Sequence, residues 1–268
     1  KNIIDDPVQQ INYFTKNNND YFISAQKSDY TPNGINPSLI YSTKHPASDI
    51  LLSTFNTSPN DYYDGTVNFV YDANNNLYRQ YKTNDAQLDY IWDYGNTLPV
   101  AQLVWNKPVP GDYINYYAYT SFESDGKGNW SFTGAPVSII GATGKSCYPL
   151  DSGSISIKNL DPTLTYWVTY WTKNANSYTI NGTTGTKGKK IIATSWTYFE
   201  HQIVRPANGT ITISGTGYID ELRLYPVNGQ MTTYTYQPLI GMTNQCDINN
   251  KVTTYEYDGL GRLKLILD

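Results

Sequence analysis

The amino-acid sequence predicts an all-β protein in which an antiparallel, jelly-roll-like β-sandwich is inserted between strands of repeated β-hairpins. Composition is the first indication, because the 268 residues include 26 tyrosines and 20 glycines, whereas charged residues make up only 16% of the chain. Aromatic and β-branched residues favour strands, and glycine and asparagine favour the turns between them. The second indication is periodicity, because short stretches of alternating residues separated by turn residues recur along the chain.

Residues 1–110 are predicted to form a hairpin-rich N-terminal region. A short helix is expected at Pro7–Phe14, and the apolar patch Tyr21–Ser24 indicates a strand. Further on, turn residues at Asn74–Asn76 and Gly95–Asn96 separate alternating stretches, which is typical of a meander. The strands predicted in this part are Val67–Tyr71, Gln87–Trp92 and Val100–Trp105.

A domain boundary is predicted at Asn106–Gly111. Its two prolines have no amide hydrogen to donate, and its glycine weakens any strand, so the segment suits a short linker. Residues 112–228 are then predicted to form the sandwich, because short strands follow one another between Gly, Asn and Pro turns. The predicted strands are Ser154–Ile157, Leu164–Trp171, Ser177–Ile180, Tyr198–Val204, Thr210–Ser214 and Ile219–Tyr225.

Residues 229–268 return to a Tyr- and Thr-rich hairpin pattern. In Thr254–Leu263, alternating tyrosines are followed by the turn Asp258–Gly261, where a glycine can adopt the left-handed conformation that a tight reversal needs. One such hairpin cannot bury its own face, so it is expected to have neighbours of the same kind. We therefore expect the repeat strands to continue beyond Asp268.

These residues carry a family resemblance. Six residues match the signature Tyr-x-Tyr-Asp-x-x-Gly-Arg-Leu, and they are Tyr255, Tyr257, Asp258, Gly261, Arg262 and Leu263. The chain therefore resembles the YD-repeat, or RHS-repeat, family. A looser copy lies at Phe69–Leu77, with Asn75 in the glycine position. Residues 90–101 resemble a segment that closes a repeat block in extracellular RHS-type proteins of Bacteroidetes, and residues 119–130 and 219–226 resemble the ends of a sandwich inserted in those proteins. The resemblance implies a β-sheet shell that encloses an effector or displays it at the cell surface.

Several function classes lack support in the sequence. Lys and Arg are scattered and the net charge is −4, which argues against nucleic-acid binding. No apolar run has the length of a membrane helix. No Gly-x-Ser-x-Gly motif occurs, the Gly144-Lys-Ser segment lacks the leading glycine of a P-loop, and the only histidines are His45 and His201. We therefore expect a protein that is not an enzyme.

The best candidate for a metal site combines Glu123 with Asp220, and Asp125 is an additional contributor. Period-2 alternation predicts that Asp220 shares a face with two core leucines, at positions 222 and 224, and therefore lies at the rim of the core. The arrangement is similar to carbohydrate-binding-module jelly rolls, in which a Phe-Glu near the start and an Asp near the end help to bind a structural Ca²⁺. The alternative is that these carboxylates accept hydrogen bonds from the backbone or from Arg223.

Aromatic residues of the sandwich are the candidate ligand site. Both faces of Leu164–Trp171 carry large side chains, so one face is expected to pack inward and the other to lie under a loop or form a surface platform for sugar rings. The candidate platform residues are Trp130, Trp167, Trp171, Trp196 and Tyr198.

The function expected from this resemblance is structural. We expect a non-enzymatic scaffold segment of a large secreted or cell-surface protein, whose partners are the rest of the same polypeptide and a polysaccharide or cell-surface glycan. The alternative is a carbohydrate-binding or adhesin module. An export signal is expected outside this segment, because Lys1–Asp6 lacks an apolar core. Cys147 and Cys246 are expected to be free buried thiols rather than a disulfide.

Overall fold

The computed structural model describes residues 9–34, 36–43, 49–82, 85–106, 115–191 and 194–268, and it shows an all-β protein built from antiparallel sheets, with a β-sandwich. The predicted fold class is therefore confirmed. His45 and most of the predicted linker Asn106–Gly111 lie outside the described residues. Within the described part of the chain, no helix has the length and hydropathy that a membrane crossing requires.

Contacts divide the chain into two compact units, Lys1–Leu88 and Asp89–Asp268. The first unit is a sheet in the order β1-β2-β3-β5-β6, with β4 paired to β2 and the helix α1 beside it. Its core contains Phe22 and Phe55, whose rings stack 4.1 Å apart. The elements are β1 (Gln9–Lys16), β2 (Asn19–Tyr30), β3 (Pro37–Thr43), β4 (Ile50–Leu51), α1 (Leu52–Thr57), a 3₁₀ helix (Pro59–Asp61), β5 (Tyr63–Tyr71) and β6 (Leu77–Tyr81).

The helix predicted at Pro7–Phe14 is wrong. Gln9–Lys16 is a strand that pairs with β2, from Gln9 opposite Lys27 to Lys16 opposite Asn19. Two asparagines at positive φ, Asn17 and Asn18, make the two-residue reversal between them. This turn brings the two strands together, and their pairing prevails over a weak local preference for helix.

The second unit combines a repeat sheet with the sandwich. Its strands are β7 (Gln87–Asp93), β8 (Leu98–Trp105), β9 (Ala118–Thr120), β10 (Tyr148–Pro149), β11 (Ile155–Ile157), β12 (Thr165–Thr172), β13 (Thr179–Ile180), β14 (Thr183–Thr184), β15 (Thr186–Ile191), β16 (Trp196–Val204), β17 (Ile211–Ile213), β18 (Tyr218–Pro226), β19 (Gln230–Gln237), β20 (Gly241–Cys246), β21 (Val252–Tyr257) and β22 (Leu263–Leu267). Two 3₁₀ helices, Leu150–Ser152 and Ala207–Gly209, lie in its loops.

The repeat sheet of this unit has the strand order β7-β8-β19-β20-β21-β22. Strand β8 pairs directly with β19, with Val104 opposite Gln230 and Ala101 opposite Thr233. Strands β9 to β18 belong to other sheets. The chain therefore leaves the repeat sheet after Trp105, builds the sandwich, and returns to the neighbouring position in the repeat sheet at Gln230.

The sandwich packs a main sheet against shorter strands. Its main sheet has the order β10-β18-β12-β16-β15, with β9 also paired to β18, and two short pairs are β11-β17 and β13-β14. Alternate residues of β12, which are Tyr166, Val168 and Tyr170, point into the sandwich core together with isoleucines of β11 and β17. The opposite face of the same strand carries Trp167, Thr169 and Trp171.

Three hairpin reversals of the chain share one five-residue loop, which begins at Asp72, Asp247 and Asp258. In each loop the aspartate N–H donates to the carbonyl of the fifth residue, and Oδ1 accepts the N–H groups of the third and fifth residues at 2.8–3.0 Å. The fourth residue has a positive φ, which is 64° at Asn75, 59° at Asn250 and 73° at Gly261. The turns predicted at Asn74–Asn76 and Asp258–Gly261 are confirmed, and the third loop was not predicted.

Candidate functional site

The candidate site is the junction between the sandwich and the repeat sheet within the second unit. One buried cluster joins β8 and β19 of the repeat sheet to the start of the sandwich. It contains Leu103 and Trp105 of β8, Met231 of β19, Tyr119 of β9, and the two tyrosines at 116 and 117 just before β9. A second cluster contains Cys147 and Trp171, with Val252 of β21 packed against it. Both clusters join sandwich residues to the repeat sheet, so the junction is an apolar core in its own right.

Four of the five aromatic residues predicted as a sugar platform belong to buried clusters, with Trp130 in the sandwich core and Trp171, Trp196 and Tyr198 in the junction cluster that contains Cys147. Trp130, Trp171, Trp196 and Tyr198 are buried, with exposed fractions between 0% and 5%. The indole N–H groups of Trp130 and Trp196 donate to the carbonyl oxygens of Leu222 and Ile140. Trp167 is half-buried and packs against the cluster that contains Trp105. A buried ring has no free face for a sugar, so the four buried residues do not form the candidate platform.

The orientation predicted for Asp220 is wrong. Leu222 and Leu224 lie in the sandwich core as expected, but Asp220 pairs with Trp171, whose ring belongs to the junction cluster. The cause is an irregularity in β18, where Glu221 adopts a φ of 50° and the register with β12 shifts. One extra residue reverses the alternation, so Asp220 points away from the sandwich core and is fully buried.

Asp220 and Glu123 hold a loop of the sandwich by its backbone. Oδ2 of Asp220 accepts the N–H groups of residues 142 and 143 at 2.7 and 3.1 Å, and Oε1 of Glu123 accepts those of residues 145 and 146 at 2.8 and 2.5 Å. Between them, the Gly144 N–H donates to Oδ1 of Asn244 in β20 at 2.8 Å. Five consecutive amides are therefore bound by three side chains, one from a loop, one from β18 and one from β20.

This arrangement does not suit the predicted calcium site. Ca²⁺ requires oxygen lone pairs directed at the ion. Here Oδ2 of Asp220 and Oε1 of Glu123 each face two amide hydrogens. Asp125 is exposed and accepts a hydrogen bond from Ser124 Oγ at 2.8 Å. The geometry corresponds to the alternative in which the carboxylates accept backbone hydrogen bonds, and the calcium site stays a prediction.

Burial controls the ionisation of these acids. Burial raises the pKa of Glu123 to about 7, although the amides of Ser146 and Lys145 lower it. Burial also raises the pKa of Asp220 well above its ordinary value, and the nearby charge of Glu221 adds to this effect. The two acids lie near one another and near Glu221, so their negative charges disfavour one another.

The centre of the junction is a buried ion pair between Glu221 and Arg223. Arg223 Nη2 lies 3.2 Å from Glu221 Oε2, and both side chains are at most 2% exposed. Glu221 also accepts hydrogen bonds from the hydroxyls of Tyr119 at 2.5 Å, Thr143 at 2.7 Å and Thr233 at 2.8 Å. Thr233 belongs to β19, so the carboxylate of a sandwich strand is bound directly by the repeat sheet.

Arg223 makes the complementary contacts. Its guanidinium donates to the hydroxyl of Thr233 at 2.7 Å and to Oδ1 of Asn250 at 3.1 Å. It also donates to the carbonyl oxygens of Met231, Asp247 and Cys246 at 3.3–3.4 Å. Burial disfavours the charge of Arg223, but the neighbouring Cys246, Glu221 and Tyr119 outweigh it and raise its pKa. One buried cation therefore binds β19, β20 and the Asp247 hairpin loop together.

A groove of about 1360 Å³ opens beside this junction. The sandwich contributes Glu123 and residues 140–145, and the repeat sheet contributes Asn244, Val252 and Thr254 among others. Several of its polar groups are already used inside the protein, because Asn244 accepts the Gly144 N–H and donates to Thr254 Oγ1 at 2.9 Å. Its lining, in the described part of the chain, includes carboxylates but neither histidine nor cysteine.

His201 and the two cysteines considered in the sequence are buried in the protein interior. His201 is buried between the hydroxyls of Tyr170 and Thr183, each 3.1 Å from a ring nitrogen, and burial lowers its pKa to about 4. Cys147 and Cys246 are free and buried, as expected.

The sequence interpretation named Arg223 as an alternative donor to the carboxylates, but it missed the other main residues of the junction, which are Tyr119, Glu221, Thr233 and Asn244. One signal was present in Asp220-Glu-Leu-Arg, because three charged residues in a strand otherwise rich in apolar residues need partners when the strand is buried. Their partners lie in strands that the sequence alone does not align. Comparison of the sequence with protein-family models and with curated proteins finds no match in either.

Proposed function

We propose that this chain is a non-enzymatic scaffold segment of a large secreted or cell-surface protein of the RHS-repeat type, in which the sandwich is an inserted module held rigidly on the repeat sheet. The observation that carries the proposal is the buried Glu221–Arg223 pair. It connects strand β18 of the sandwich to β19, β20 and the Asp247 loop of the repeat sheet. A module that moved freely on a linker would not need a desolvated ion pair at its base.

The outermost strand of the repeat sheet supports a partner within the same polypeptide. Leu263, Leu265, Ile266 and Leu267 of β22 are each 43–53% exposed, and β22 pairs only with β21 among the described strands. An unpaired, apolar edge promotes aggregation unless another strand covers it. We infer that further repeat strands of the protein pair with β22.

Hydrogen exchange on the full chain tests the rigid attachment. Amides of β18, β19 and β20 are expected to open with one common free energy, because the same buried network involves all three strands. The variant Arg223→Met should lower protection in all three strands, whereas the surface variant Lys27→Met should change none of them. The proposal fails if amides of β19 and β20 exchange freely while those of β18 stay protected.

A second experiment tests the repeat scaffold. A copy of the hairpin Val252–Leu267 is appended after Asp268, so that a further strand is available to β22. The extension is expected to increase the protection of β22 amides and to reduce the binding of a hydrophobic dye. As a control, the same extension with Asp258→Pro in the appended copy should give neither effect, because proline removes the N–H that closes the loop. Unchanged exchange at β22 in the intact extension would contradict the scaffold proposal.

A further inference from the structure

The face of the repeat sheet opposite the sandwich carries an ordered strip of tyrosine and glutamine side chains. Five successive strands of the second unit each contribute one residue, and all five are half-buried. These residues, here called the tyrosine strip, are Tyr90 of β7, Gln102 of β8, Tyr234 of β19, Gln245 of β20 and Tyr255 of β21.

Strand pairing places these residues on one face. Tyr234 lies directly opposite Gln245, and residues directly opposite one another share a face of a sheet. Thr232, two positions before Tyr234, pairs with Gln102, and Thr253, two positions before Tyr255, pairs with Gln245. In β7, Gln87, Asp89 and Ile91 are buried, which leaves Tyr90 on the alternate face. The neighbours Met231, Thr233 and Cys246 are buried on the other face, toward the sandwich.

Two tyrosines of the strip form hydrogen bonds with glutamines of neighbouring strands. The Tyr234 hydroxyl donates to Oε1 of Gln102 at 3.2 Å, and the Tyr255 hydroxyl reaches Oε1 of Gln245 at 3.4 Å. Each hydroxyl therefore reaches the neighbouring strand, so the tyrosine side chain crosses the surface of the sheet. The pKa of Tyr234 is raised by burial and also by the nearby phenols of Tyr90 and Tyr255, which indicates that the three side chains are neighbours.

The spacing of the strip selects a ligand. Neighbouring strands are ~4.8 Å apart, so tyrosines two strands apart with an offset of up to two residues lie roughly 10 to 12 Å apart. This is close to the length of one disaccharide in an extended, ribbon-like glycan. Alternate sugar rings of such a chain can therefore lie on successive tyrosines, and the glutamine amides between them can bond to equatorial hydroxyls.

We propose that the tyrosine strip binds an extended β-1,4-linked glycan along the line from Tyr90 to Tyr255. This inference goes beyond the scaffold function and concerns the face away from the junction. A helical α-linked glycan does not present flat sugar faces at a regular spacing, so it should not fit the strip. The strip spans four strand intervals, about 19 Å, which accommodates about four sugars.

Titration of the full chain with cellohexaose, chitohexaose and maltohexaose tests the proposal. We expect calorimetry to detect at least one of the β-1,4-linked hexaoses and not maltohexaose, and the better β-1,4 ligand then identifies the sugar. Tyr234→Ser and Tyr255→Ser should each weaken that binding about tenfold, because they remove a stacking ring. Tyr234→Phe keeps the ring and should change affinity less than about threefold. Tyr13→Ser, at a tyrosine of β1 that is 52% exposed, is the matched control and should have no effect.

Three results would overturn the proposal. They are the absence of binding by both β-1,4-linked hexaoses, equal binding of maltohexaose, and serine variants that bind as well as the unaltered chain. If a serine variant does not fold, the aromatic NMR signals of Tyr234 and Tyr255 in the unaltered chain decide, because they must shift on titration. The scaffold proposal rests on the hydrogen bonds of Arg223 and Glu221, which are made to residues outside the tyrosine strip. A negative binding result would therefore overturn the glycan proposal alone, and hydrogen exchange tests the scaffold proposal separately.

Discussion

Replacing Arg223 with methionine should destabilise the second unit more than any exposed ion-pair substitution in the chain. Methionine keeps much of the length of the arginine side chain but removes its charge and all its donors. The Glu221 carboxylate would then remain in a position that is 1% exposed, with only neutral partners. Those partners are the hydroxyls of Tyr119, Thr143 and Thr233.

The expected magnitude follows from what the substitution leaves behind. Removing one member of a buried ion pair typically costs about 3 to 5 kcal/mol, because the other charge stays desolvated. The carbonyl oxygens of Met231, Cys246 and Asp247 also lose a donor, but their contacts with Arg223 are long, at 3.3–3.4 Å. The three hydroxyls offset part of the charge penalty. We therefore expect a loss of about 3 kcal/mol in the free energy of unfolding.

Urea denaturation, followed by tryptophan fluorescence, measures this loss, because Trp105 and Trp171 lie in the two junction clusters. Lys27→Met is a matched control. Lys27 and Asp29 form an ion pair with the same two-residue separation, at 3.1 Å, but their side chains are 34% and 41% exposed. Exposed pairs contribute about 0 to 1 kcal/mol, so this variant should unfold almost as the unaltered chain does.

A double variant distinguishes an unpaired charge from lost packing. If the penalty arises from the carboxylate, then Glu221→Gln combined with Arg223→Met should recover about 1 to 2 kcal/mol relative to Arg223→Met alone. Additive losses in the double variant would show that the two side chains do not stabilise one another. A loss below about 1 kcal/mol for Arg223→Met would also refute the argument.

Four further predictions concern other parts of the second unit. Gly144→Ala should destabilise it by about 1 to 3 kcal/mol, because a Cβ there would collide with the Glu123 carboxyl group and because the residue has a φ of 61°. Gly259→Ala is the control: a Cβ at this position meets nothing within 4 Å, so the variant should be neutral in the same urea assay. Asp247→Ala should cost about 0.5 to 2 kcal/mol and speed hydrogen exchange at Asn249 and Lys251, while Asp247→Asn, which keeps an acceptor, should do so much less. His201 should contribute a loss of stability as the pH drops from about 6.5 toward 4, because the unfolded chain protonates His201 while the folded chain holds its pKa near 4. Asp220 and Glu123, whose pKa values are raised, contribute in the opposite direction. Urea denaturation at pH 7 and pH 4 should therefore show that His201→Gln loses less stability, or gains more, between these pH values than the unaltered chain does. Neither EDTA nor added CaCl₂ should change the melting temperature, because the carboxylates of Asp220 and Glu123 already accept hydrogen bonds from backbone amides. A rise of several degrees with calcium would instead support the predicted calcium site.

The sequence predicts local structure in this chain better than its long-range contacts. The hairpin loops at Asp72 and Asp258 follow from a short pattern, because one aspartate satisfies two amides and one asparagine or glycine supplies the positive φ. The orientation of Asp220 could not be predicted by alternation, since a single residue, Glu221, leaves the extended conformation and reverses it. No residue in the printed sequence signals that change, because glutamate rarely adopts a positive φ.

The two aromatic faces of β12 show why the sandwich residues resist functional interpretation from sequence. The face with Tyr166 and Tyr170 fills the sandwich core, and the face with Trp167 and Trp171 packs toward the repeat sheet. A strand with large side chains on both faces is typical of a sheet covered on both sides, and a sugar platform on one exposed face would produce the same sequence. The two cases differ in whether a second layer covers the strand. In this chain that layer includes β8 and β19, which are distant from β12 in sequence and pair with one another on either side of the inserted sandwich. The aromatic residues on the other face of the repeat sheet have polar neighbours instead, as Tyr234 has in Gln102 and Gln245, and for that reason the proposed glycan site is on that face.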